Sequence, residues 1–131
     1  MLLILLLLGL AAPEIFKGKP ATPKITTPFQ RRFRTQILEG ARKGPNFAAR
    51  YTIVQWGCGA SCVSAVIVDA KSGAVHELPF QALTFGAEVR EPFSFRLDSN
   101  LLVVRGCPNE KDCATYQYEW RDSRLRFLKV Q

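Results

Sequence analysis

After Asn46 the chain breaks into short runs of β-branched, aromatic and aliphatic residues, each closed by a cluster of Gly, Asp, Asn or Ser. Runs of this length and composition suit strands and are too short for stable helices. Residues 51–56 and 63–68 are apolar at nearly every position, the pattern of strands covered on both faces. In residues 93–97 and 116–120 large apolar side chains alternate with polar ones, which gives each strand one wet face. Residues 74–78, 101–104 and 124–128 complete a set of about seven. Asp69-Ala70-Lys71-Ser72-Gly73, Asp98-Ser99-Asn100 and Asp122-Ser123 supply turns between neighbours. The expected fold is therefore mainly all-β: an antiparallel meander of about seven strands forming a small barrel or sandwich. The Asp-led turns recur at unequal intervals with no second motif in step, so a repeat architecture is excluded.

One segment departs from the strand pattern. Residues 31–42 place Phe33, Ile37 and Ala41 on one helical face, and Lys43-Gly44-Pro45 stops the helix. That apolar stripe has only sheet to dock on.

Charge divides the chain at the same point. Lys and Arg total 18 against 11 Asp and Glu, and the excess of +7 lies entirely in residues 13–50. Residues 13–30, with Pro20, Pro23 and Pro28 among Lys and Thr, read as a solvated tether ahead of a single domain at 31–131. The basic stretch 13–50 can also be drawn to an anionic surface. No nucleic-acid partner is expected, because such binding wants aromatics interleaved with basic residues on a folded surface and an exported protein rarely meets nucleic acid. Residues 1–12 form an apolar run ending in small residues, as in a secretory signal peptide; the competing reading is an uncleaved segment buried in the domain. The run is shorter than the roughly 20 residues a membrane-spanning helix needs, so an integral membrane protein is excluded. Export places the protein in the periplasm or outside the cell.

Four cysteines, Cys58, Cys62, Cys107 and Cys113, make an even set for an oxidising compartment. Three connectivities are open, and the close spacing favours two local loops, 58–62 and 107–113. By chain entropy each would contribute about 2 kcal/mol, leaving most of the stability to the core. A zinc site would need closer spacing in the second pair, so no metal is expected.

The densest run of unusual residues is Gly44-Pro45-Asn46-Phe47-Ala48-Ala49-Arg50-Tyr51 followed by Trp56-Gly57-Cys58-Gly59-Ala60-Ser61-Cys62. Together with the Asp69 to Gly73 hairpin, it resembles small exported bacterial domains of unknown function that carry a Pro-Asn-Phe-Ala-Gly-x-Tyr segment, a Trp-Gly-Cys-Gly-x-x-Cys loop and an Asp-x-x-x-Gly turn. The resemblance covers residues 31 to 79 and implies export and a β-rich fold, with no activity attached. This chain has Ala49 where that pattern carries Gly, a change that would strain a positive φ there.

Read physically, Gly57 and Gly59 let the chain turn around Cys58 and leave bare amides beside Trp56 and Arg50, a candidate anion-binding nest. The candidate ligand-binding set is Asn46, Arg50, Trp56, Gly57, Gly59 and Ser61. Against it stands the reading of Trp56 as core and of the glycines as the needs of a tight disulfide loop. No catalytic set emerges. His76 is too close to Cys62 for a papain-like pair, Ser61 lies in no Gly-x-Ser-x-Gly elbow, and Glu88 with Glu91 or Glu77 with Asp69 are pairs any such chain offers. The expectation is a non-catalytic ligand- or protein-binding module of the cell envelope, an inhibitor being one form, with no cofactor and an unidentified envelope partner. The alternative is a cell-wall-directed hydrolase using unidentified carboxylates.

Overall fold

The computed structural model describes residues 14–131. The apolar run at 1–12 lies outside the described residues. Eight strands form one antiparallel sheet: β1 (Tyr51–Gly59), β2 (Cys62–Asp69), β3 (Val75–Glu77), β4 (Leu83–Thr84), β5 (Phe93–Ser94), β6 (Leu101–Pro108), β7 (Ala114–Arg121) and β8 (Arg124–Val130). The path runs β1-β2-β4-β6-β7-β8, with β3 added to β2 and β5 to β6, and it does not close into a barrel. All seven expected strands are present. The eighth, β4, is a two-residue link, too short to leave a period in the sequence.

Through β4 the sheet doubles back on itself. Cys62 of β2 sits opposite Thr84, which sits opposite Cys107 of β6. The two halves then close face to face over a core in which Ile53, Ile67 and Leu83 meet Phe93, Leu102, Val104, Tyr118 and Trp120. Period-2 alternation sends the other side chains of β1 and β2, among them Val54, Trp56, Val66 and Val68, to the opposite face. There they meet a helix pair, so these strands are buried on both sides.

The helix pair replaces the single helix expected at 31–42. Helix α1 (Pro28–Arg32) starts earlier, at a Thr27–Gln30 capping box with Pro28 in the first turn. Phe33 (φ −109°) interrupts it before α2 (Arg34–Ala41). The break lets the Phe33 ring pack 5.1 Å from Phe29 and 5.0 Å from Trp56, while Ile37 and Ala41 enter the core. At Gly40 the helix comes so close to β1 that a Cβ would press on both methyls of Val54.

The segment read as a solvated tether lies against the domain. The amide of Phe16 donates to the Ala49 carbonyl, that of Ala21 to Ala70 and that of Lys24 to Gly73, each at 2.8–2.9 Å. Ile25 and Phe29 pack on the helix-side core, and Pro23 is buried. Extended Pro-rich backbone keeps its amides free to bond a neighbouring strand end, which composition alone does not reveal. The Lys side chains of the segment point to solvent.

Candidate functional site

The nine residues of β1 carry the sequence candidates to different places. Arg50 precedes the strand, whereas Gly57, Gly59 and Ser61 lie at its far end, about 20 Å or more away at the rise of an extended chain. Asn46 bonds neither group. Its amide side chain spans the backbone of Ile53, accepting from the N–H at 2.8 Å and donating to the carbonyl at 3.1 Å. Trp56 is 8% exposed beneath α1 and α2 and is a core residue on the helix side.

At the far end of β1 the Cys58–Cys62 and Cys107–Cys113 disulfides are both formed. They flank Thr84, so the two bridged loops stand side by side. Gly59 (φ +132°) supplies a backbone that L residues rarely adopt, and a Cβ at Gly57 or Gly59 would meet nothing within 4 Å. This end is an exposed pair of loops. Among the described residues, no group of three or more His, Cys, Asp and Glu stands ready to hold a metal ion.

The opposite end is concave. A meander returns alternate turns to the same end, so the Asp69, Asp98 and Asp122 turns gather there around Arg50. Asp69 is buried. It accepts from the Lys71 amide (2.8 Å) and the Ser72 amide (3.3 Å), and it pairs with the Arg50 guanidinium at 2.7 Å. Burial alone would raise its pKa; the two amides and Arg50 outweigh that and hold it below the usual carboxylate value. Glu77, its partner in the hydrolase reading, accepts from Thr27 at 2.6 Å and from Gln30 at 3.2 Å. Both carboxylates are thus engaged in holding the fold.

Between the turns lies a cleft of about 890 Å³. Its apolar part is Tyr51, Trp120, Ala49 and Leu97, and its polar part includes Asp98, Asn100, Arg121 and Ser123. The turn that carries Ala48 and Ala49 holds both at positive φ (48° and 69°), fixed by their amides donating to Ser99 and Leu97 at 3.0 and 2.8 Å. Asp122 and Ser123 form a two-residue hairpin turn with both φ positive (53° and 58°), which aims the β7–β8 corner at the cleft. Trp120 packs edge-on against Tyr51 (5.0 Å) and His76 (5.2 Å). Burial lowers the pKa of His76 against the opposing pull of Asp69, keeping the imidazole neutral beside the indole.

Two donors here have no acceptor among the described residues. The Nε–H of Arg50 and the indole N–H of Trp120 are both buried without a hydrogen-bond partner, and both residues line the cleft. Sequence reading singled out Arg50 and passed over Trp120, because nothing in the pattern of β7 marks which of its three aromatics stands at a cleft. No known protein family matches this chain, and no curated protein or solved structure is similar to it.

Proposed function

We propose that the protein is an exported, non-catalytic binding module of the bacterial cell envelope, and that the cleft between Arg50 and Trp120 receives its ligand. The observation that carries this reading is that two residues lining the cleft, Arg50 and Trp120, each hold a buried N–H donor without a partner among the described residues. A buried donor without an acceptor costs about 1–3 kcal/mol, a cost that a ligand oxygen placed there would remove. Charge selects the ligand class. Arg50 is neutralised by Asp69, Arg121 pairs with Glu119 at 3.0 Å and Asp98 pairs with Arg96 at 2.7 Å, while Glu14 and Asp122 remain on the rim. An anion would be repelled, whereas an uncharged, oxygen-rich ligand with one apolar face fits both the aromatic floor and the polar rim. N-acetylated sugars of envelope glycans have that chemistry. The exposed Lys and Arg of residues 14–43 would hold such a module near anionic polymers.

The test is a titration with N-acetylglucosamine oligomers, following the indole N–H signals of Trp120 and Trp56. A saturable shift of the Trp120 signal alone, lost in Trp120→Phe, is expected. No shift, or a shift that survives in Trp120→Phe on the neighbouring cleft amides, would refute the assignment.

A further inference from the structure

Strand β8 reads Arg124-Leu125-Arg126-Phe127-Leu128-Lys129-Val130 and, among the described residues, forms one edge of the sheet, paired only with β7. An edge strand leaves a row of backbone N–H and C=O groups open to another strand. Most edges are blunted by polar side chains, but here Phe127, Leu128 and Val130 are 56%, 48% and 50% exposed. They are three of the five large hydrophobic side chains that stand exposed among the described residues.

The placement of these side chains follows from register. Phe127 lies opposite Tyr118, and Val130 lies opposite Tyr116. Both therefore project from the inner face of the sheet, the face that holds the core at Tyr118 and Trp120. The Phe127 ring packs 5.9 Å from Tyr118 and 6.5 Å from Tyr116. The half of the sheet built on β1 and β2 covers that face as far as β7 and stops, so the apolar layer runs on past its cover. One more strand beside β8 would continue the layer.

Charge sets what that strand must carry. On the outer face Arg124 lies directly opposite Arg121, a like-charge pair that disfavours the hairpin on its own. Arg126 faces Glu119, whose carboxylate is already engaged by Arg121 at 3.0 Å, and Lys129 faces Gln117. The strand has three cations and no acid. A second copy of this chain would bring three more cations to the same edge.

We propose that β8 is a docking edge that accepts, by antiparallel or parallel addition, a strand from a partner protein in which apolar and acidic residues alternate. The apolar residues extend the layer over Phe127 and Val130, and the acidic ones meet Arg124, Arg126 and Lys129. Main-chain bonds to the edge supply affinity, and the alternation supplies register and selectivity. The shift of register at Gln117/Tyr118, which leaves Leu128 outside the β7 pairing, works with the cations to turn away strands that lack that pattern. This surface lies beyond the cleft, and it stands whether or not the cleft binds sugar.

The experiment uses the full chain and a fluorescein-labelled peptide of alternating Val and Glu, matched in length to β8, with a Val and Lys peptide as its counterpart. Anisotropy gives affinity, and amide hydrogen exchange gives location. The acidic peptide should bind, slow exchange in β8 and weaken with added salt, while the basic peptide should not bind. Phe127→Thr should lower affinity by about tenfold or more, from the apolar area left uncovered. The double variant Arg124→Glu, Arg126→Glu should invert the preference, and its binding of the basic peptide would itself show that it folds. Equal binding of the two peptides, binding of neither, or no inversion would overturn the proposal. So would protection, in the free monomer, of the β8 amides that point away from β7, or sedimentation showing a dimer that Phe127→Thr dissolves.

Discussion

Replacing Trp56 separates two roles that one residue could play. Its indole is 8% exposed, wedged between Phe33 at 5.0 Å and Phe29 at 6.0 Å, and its N–H is buried without an acceptor. Truncation to Ala removes a large apolar group from beneath both helices and leaves a void that α1 and α2 cannot fill while the backbone at Gly40 already lies too close to Val54 to admit a Cβ. Such losses cost about 3–5 kcal/mol. At a denaturant dependence of about 2 kcal/mol/M, that shifts the urea midpoint down by roughly 2 M. Trp56→Phe behaves differently. It gives up about 1–2 kcal/mol of buried ring area, at ~25 cal/mol per Å². It also deletes the unpartnered N–H, which returns about 1–3 kcal/mol. The Phe variant should therefore unfold close to the parent. Urea unfolding of the three proteins by far-UV circular dichroism, at equal slope, is the assay. An Ala variant as stable as the parent would show Trp56 to be peripheral. A Phe variant as unstable as Ala would show that the indole N–H has a partner and that the reasoning from its burial is wrong.

Two further predictions rest on the cleft end. Ala49→Gly should stabilise the fold by about 1 kcal/mol, since Ala49 holds φ at +69° and an L residue there costs roughly 1–2 kcal/mol, offset in part by the freer unfolded chain; thermal unfolding that shows a lower midpoint would refute it. His76 is held neutral by burial, so its contribution is fully present above its unfolded pKa of about 6.5 and is lost as pH falls through its lower folded value. Stability should then drop between pH 7 and 5 and the drop should vanish in His76→Gln, Asp69 not yet titrating in that window; urea midpoints at the two pH values that coincide in the parent would contradict this.

Strand existence was legible because period-2 patterns and β-branched runs are local properties of residues such as those at 63–68 and 116–120. The disulfide loops were legible for the same reason: Cys58 and Cys62 are neighbours before any folding occurs. Helix α1 was also written locally, in Thr27-x-x-Gln30 with Pro28 between, but the surrounding Pro-rich composition drew the segment into the tether reading. The cleft was not legible. Its lining comes from residues as far apart as Glu14 and Ser123, brought together only because a meander puts alternate turns at one end. Grouping Asn46, Arg50 and the Trp56 to Ser61 stretch as one site treated nearness in sequence as nearness in space. In an extended strand that inference fails at about 3.3 Å per residue. The opposite error applies to the Asp-led turns, whose unequal spacing argued against a repeat and thereby hid that all three converge. In a meander the informative spacing is the parity of the turn, not its period: every second corner shares an end. Read that way, Arg50 at the start of β1, Asp69 at the end of β2 and Trp120 near the end of β7 were assignable to one end of the molecule from the order of strands alone. What strand order cannot supply is which of their polar atoms remain without a partner, and the proposed ligand chemistry rests on that.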